Sequence, residues 1–295
     1  MRGNSAPTLT SANLLSRSPL LSFWVLAYGI AWGAFFFARI PDLRGELKWG
    51  AEYVTKFGPT LAALLVVVSL GRAARTEWLA RIVRWRVHPG WYAFALGAPA
   101  VLWLAAIGLF VAQGNAWPAI EWNAQITTTA LGLFALRLFA GGGYGEEPGW
   151  RGFAQPRLQG RMSPLSASLL IGVVWGVWHA PAFFVEGSGK EGGAVLLVLF
   201  TIYSCALSII FSWFFHRTGG SVLLAAVLHA SFNSTENVFK LALPSLNDSP
   251  TPTFLFAGRA LAYAVMLAGG CGRNLQGIRI PGRSRETTAL VPRNP

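Results

Sequence analysis

Eight stretches of this chain are apolar for long enough, or nearly so, to cross a hydrocarbon core, which takes about 20 helical residues. They lie at residues 20–38, 57–70, 91–112, from 127 onward, and at 165–185, 194–215, 221–239 and 254–270. The first is too long for a signal-peptide core and no small-residue cleavage site follows it. The second is short and needs polar residues upstream to span. Composition agrees: only 12% of residues are charged and mean hydropathy is +0.46, where a soluble domain carries about 25% charge. Thirteen Trp and 20 Phe exclude a disordered chain. Cys205 and Cys271 both sit in apolar runs and make no disulfide framework. The fold class that follows is all-α, a polytopic transmembrane bundle of about eight spans.

Net charge is +12, but no compact basic domain exists to hold nucleic acid. The cations suit loops facing anionic lipid. With residues 1–18 and 273–295 as flexible, polar cytoplasmic ends of a transmembrane domain at 19–272, 16 Lys and Arg fall inside and six outside. That asymmetry places both termini in the cytoplasm of a bacterial inner or plasma membrane. Arg72, Arg75, Arg81, Arg84 and Arg86, interleaved with Trp78, Leu79, Ile82, Val83 and Trp85, read as an amphipathic interfacial segment or a solvated basic loop.

Hydropathy does not separate a transporter, a channel, an enzyme and a scaffold. Ionisable groups inside spans do, because each is expensive there without a partner and a purpose. Three clusters qualify, all within the core at 144–240: Glu146-Glu147 with Arg151, Trp175 with His179, and His229 with Asn233. Each has a plain structural explanation. Glu147 and Arg151 share a helix face, His179 can bond a carbonyl freed by Pro181, and Asn233 can glue helices together. Their conjunction argues for more. If the fourth helix runs on to about Arg157, kinked at Pro148-Gly149, Glu146 lies about 16 Å below its end at 1.5 Å per residue. The same arithmetic puts His229 at about 18 Å, and Asn233 and His179 at about 24 Å. All four then meet near mid-membrane, facing a water-filled cavity.

A carboxylate there can take a proton from water and return it to a leaving amine. Imidazole and amide groups can donate to the oxyanion. Glu146, His179 and His229 are also a zinc-type ligand set with Glu147 as base, although no helix carries two His four apart around a Glu. Ser231 and Cys205 have no setting that would make them nucleophiles.

At these residues the chain resembles the CPBP family, the CAAX proteases and bacteriocin-processing enzymes also called Abi. The family's three ordered motifs are Glu-Glu-x-x-x-Arg, Phe-x-x-x-His and His-x-x-x-Asn. They match at Glu146, Glu147 and Arg151, at His179, and at His229 and Asn233; Trp175 stands where the family usually has Phe. Trp150, Gly152 and Phe153, the Trp-His-x-Pro run, and Gly58-Pro59 opening the second span are similar too. The motifs cover about 90 residues. The resemblance implies an intramembrane endopeptidase on an eight-helix core. Glu146 would activate water, Glu147 and Arg151 would support it, and His179, His229 and Asn233 would hold the oxyanion.

The family has been described both with and without a catalytic metal. The expectation here is no cofactor, with zinc at Glu146, His179 and His229 as the alternative. Expected partners are membrane lipids and a membrane-anchored or hydrophobic peptide, not nucleic acid. The rival functions are an inactive membrane scaffold and a proton-coupled transporter; the latter predicts paired broken helices in inverted repeats, which the sequence does not display.

Overall fold

The computed structural model describes residues 14–187 and 192–247; among these there is no strand. The principal helices are α1 (Pro19–Phe37), α2 (Gly45–Ser69), α3 (Arg72–Ile82), α4 (Gly90–Ala112) and α5 (Ala124–Phe139). They are followed by α6 (Gly142–Gly149), α7 (Pro164–Trp178), α8 (Gly193–Arg217) and α9 (Val222–Ala242). Five segments among the described residues are long and apolar enough to cross a membrane: α1, α2, α4, α8 and the combined run Ala124–Gln159. The protein is an integral membrane protein. α7 is apolar but short at 15 residues. α9 carries His229, Asn233, Glu236 and Lys240, which shorten its apolar run. The eighth expected span, at 254–270, lies outside the described residues, as do residues 1–13 and 273–295.

Three boundaries differ from the sequence reading. α2 begins at Gly45 rather than near Phe57, because Glu46, Lys48, Glu52 and Lys56 mask its first half in any hydropathy scan. Gly58-Pro59 therefore lies inside the span and does not open it. The fourth span does continue through the Glu pair, but its break is at Ala140-Gly141, ahead of α6. Four glycines among residues 141–145 give the chain little helical preference there. Pro148-Gly149 instead leads into a π-helical turn, Trp150–Ala154, then a last turn at Gln155–Gln159. The fifth span ends at Trp178, where Pro181 follows, and the chain resumes in the short helix Pro181–Phe184.

Helices pack closely where glycine removes the side chain, as is usual between membrane helices. α6 lies against α2 so tightly that a Cβ on Gly145 would come 2.6 Å from the Lys56 carbonyl oxygen. On α7, a Cβ on Gly176 would come 2.6 Å from Thr201 Cα of α8. α9 packs against α4, α5 and α6 and so completes the surround of the Glu pair. The core is aromatic, with Phe23, Trp150, Phe153, Phe211 and Phe214 fully buried.

Candidate active site

α6 carries a proline in a place where lipid forbids an unpaired carbonyl. Pro148 has no N–H for the carbonyl of Tyr144 four residues earlier. The Thr60 hydroxyl of α2 takes that role, donating to Tyr144 O at 2.8 Å. Past the proline, Trp78 of α3 donates its indole N–H to Pro148 O at 2.9 Å, and Arg81 donates to Gly152 O at 3.2 Å. The expected interfacial segment thus becomes a helix whose one buried side chain, Trp78, braces the π-helical turn, while Leu79, Val83 and Trp85 stay exposed.

The two adjacent carboxylates are both buried but have different partners. Glu146 Oε2 accepts from the Trp175 indole at 2.6 Å and from the Trp150 indole at 3.3 Å. Glu147 Oε1 accepts from Arg151 at 3.3 Å and from His229 Nδ1 at 2.7 Å. Arg151 and Glu147 are fully buried. Arg151 also donates to Ser208 Oγ at 3.3 Å and lies over the rings of Trp175 (5.2 Å) and Phe211 (4.8 Å). The His229 ring meets Trp175 edge-on with centroids 5.4 Å apart. Its Nε2 edge is pressed against Gly142, where any Cβ would collide with it.

His179 sits at the C-terminal cap of α7 rather than deep within a span, and is only partly buried. Its Nδ1 bonds the Trp175 carbonyl at 2.9 Å. A carbonyl only accepts, so this Nδ1 carries the hydrogen. The carbonyl is free because the last turn tightens, with His179 N–H going to Gly176 O, and not because of Pro181. Tyr28 and Trp32 of α1 satisfy the neighbouring α7 carbonyls at Val174 and Trp178. Asn233 lies one turn beyond His229 on α9 and is partly exposed; its backbone carbonyl accepts from Asn237. Ser231 donates to Val227 O and Cys205 to Leu169 O, both within packed helices.

Glu146, Glu147, Arg151 and His229 therefore form one cluster with Trp175 at its centre. His179 joins it through Trp175, at 6.4 Å between rings. Asn233 joins it only through the helix that it shares with His229. Arg151 is part of this cluster and Lys56 is inside α2, which removes one cation from each side of the charge asymmetry described above. Next to Asn233 in sequence, Ser231, Ser234 and Thr235 help line a largely apolar cavity of about 280 Å³ with Leu96, Ala100, Phe134 and Phe239.

Sequence reasoning singled out Trp175 beside His179 but gave it no acceptor, since an indole in an apolar run declares none; it missed two further participants. Ser208 had a legible signal: with Ser204 and Ser212 it forms a buried serine stripe at four-residue spacing in an apolar helix. Gly142 had none beyond its neighbouring glycines. As arranged, Glu146, His179 and His229 do not fit a zinc ion. Among the described residues no three His, Cys, Asp or Glu side chains are grouped closely enough to hold a metal.

Residues 127–235, which include all six candidate residues, match the family model described as type II CAAX prenyl endopeptidase Rce1-like. The matched segment is thus similar to that family. It begins within α5 and ends within α9, so α1 to α4 lie before it. The chain is also 30% identical over 122 residues to CAAX prenyl protease 2 of Methanococcus maripaludis, covering 40% of this chain and 45% of that protein. It thus spans less than half the length of that curated relative.

Proposed function

We propose that this protein is an intramembrane endopeptidase acting on a membrane-anchored substrate, with prenylated C-terminal peptides as the substrate class. The observation that carries the reading is the division of labour between two buried neighbours. Glu147 is tied to Arg151 and His229, while the hydrogen-bond donors that Glu146 meets among the described residues are two neutral indoles. In this reading the Glu146 carboxylate takes a proton from water as the oxygen adds to the scissile carbonyl carbon. The carbonyl oxygen becomes an oxyanion, toward which His229, His179 and Asn233 donate. The C–N bond then breaks, and Glu146 returns its proton to the leaving amine, giving a carboxylate and a free amine.

The apolar cavity beside α9 suits a substrate held by a hydrocarbon anchor. Residues 1–18 and 273–295 face the cytoplasm of a bacterial membrane in this reading. This reading takes the metal-free version, in which the Glu146 carboxylate alone activates the water. The test is cleavage of a fluorogenic farnesylated peptide by purified protein, and membrane proteomics of cells carrying Glu146→Gln. Loss of turnover by at least about a hundredfold in Glu146→Gln is expected, with the wild type active after exhaustive chelation. A Glu146→Gln protein as active as wild type refutes the base. Activity lost on chelation and restored by stoichiometric zinc refutes the metal-free version.

A further inference from the structure

Glu146 stands on α6, a short helix bounded by the break at Ala140-Gly141 and by the π-helical turn. A glutamate side chain has three torsions, and one hydrogen bond from its own helix leaves the carboxylate free to swing. The Trp150 bond is of that local kind, one turn along and 3.3 Å long. The bond from Trp175 is different. It crosses from α7, is 2.6 Å long, and is buried. Its donor ring is itself held, by Arg151 over its face and His229 against its edge, while the Trp175 carbonyl is bonded by His179. Both indoles meet the same oxygen, Oε2, and no donor among the described residues is recorded on Oε1. The carboxylate is thus pinned through one oxygen and offers the other.

We propose that Trp175 is a positioning residue for the Glu146 base. Its indole N–H fixes the carboxylate plane and leaves Oε1 as the oxygen that takes the proton from water. This rests on the endopeptidase reading given above. It concerns the place where the resembled motif usually has phenylalanine, which would keep the ring contacts with Arg151 and His229 but has no donor. The stake is large for one atom, since productive geometry at a reacting centre is held to within a fraction of an ångström.

Two replacements separate donor from shape. Trp175→Phe keeps an aromatic ring. Substitution at the same position by the benzothienyl analogue of tryptophan keeps the bicyclic outline and replaces only the N–H with sulfur. With the farnesylated peptide as probe, both are expected to lower kcat by about tenfold to a hundredfold while KM stays within about twofold. The second measurement needs no turnover. In protein labelled with ¹⁵N-indole, the Trp175 N–H resonance is expected to move upfield in Glu146→Gln, far more than those of tryptophans remote from the site. An unchanged kcat in both variants, or a loss in Trp175→Phe with full activity in the benzothienyl form, overturns the proposal. So does a Trp175 resonance that ignores Glu146→Gln. Retained cleavage by Glu146→Gln, in contrast, overturns the base assignment itself, and the resonance then decides the hydrogen bond alone.

Discussion

Replacing Arg151 by methionine keeps most of the chain length and removes the charge. Arg151 and Glu147 have no solvent-exposed side-chain surface, and their facing atoms are 3.3 Å apart. Losing the guanidinium strands the Glu147 carboxylate with His229 as its remaining hydrogen-bond partner, its Oε2 being already without one. One-sided removal of a buried pair typically costs about 3–5 kcal/mol. Glu147→Gln strands Arg151 in the same way and is expected to cost about 3 kcal/mol. The double variant strands no charge. Its cost should stay near that of one single variant, about 3–4 kcal/mol, so the two changes couple by at least about 2 kcal/mol. Detergent-solubilised protein, unfolded by SDS in mixed micelles and followed by tryptophan fluorescence, gives the four stabilities of the cycle. If the single costs add to within about 0.5 kcal/mol, the pair is not the coupled unit argued for here. A near-neutral Arg151→Met sinks the reasoning outright.

Other outcomes follow from single contacts. Gly142→Ala should lower kcat at least about tenfold, because its Cβ collides with the His229 ring and turns it away from Glu147. Gly132→Ala, in open space, should be silent in the same peptide assay. Thr60→Val removes the donor to Tyr144 O and should cost about 1–3 kcal/mol of unfolding free energy. Thr55→Val loses only a bond to Ala51 within its own helix, and in the same SDS titration it should cost less than Thr60→Val.

The chain announces its membrane helices, and simple depth arithmetic is enough to bring the Glu pair level with His229. The bond between Glu147 and His229 brings those two residues together, whereas His179 sits at the end of α7 and Asn233 joins through α9 alone. What periodicity and hydropathy miss is set by tertiary structure. α2 starts twelve residues before its apolar run, because Glu46, Lys48, Glu52 and Lys56 are tolerated along it. His179 proves to be a cap because the last turn of α7 tightens. The indole of Trp175 gains its role only from an acceptor 29 positions away. A one-dimensional pattern carries no information about which of 13 tryptophans finds such a partner.

The proline in the Glu helix has a consequence for biogenesis. A transmembrane helix usually reaches the bilayer with its own backbone satisfied, and only afterwards associates with others. The segment around Pro148 is not self-sufficient in that sense. Its freed carbonyl at Tyr144 is completed by Thr60, and the carbonyls at Pro148 and Gly152 also accept from Trp78 and Arg81. All three donors are made earlier in translation, on α2 and α3. The polypeptide therefore emerges from the ribosome with the receptors for its difficult segment already synthesised. Until that segment docks on them, the Glu146-Glu147 pair stays on an incompletely bonded backbone, and the cluster around Trp175 is not assembled.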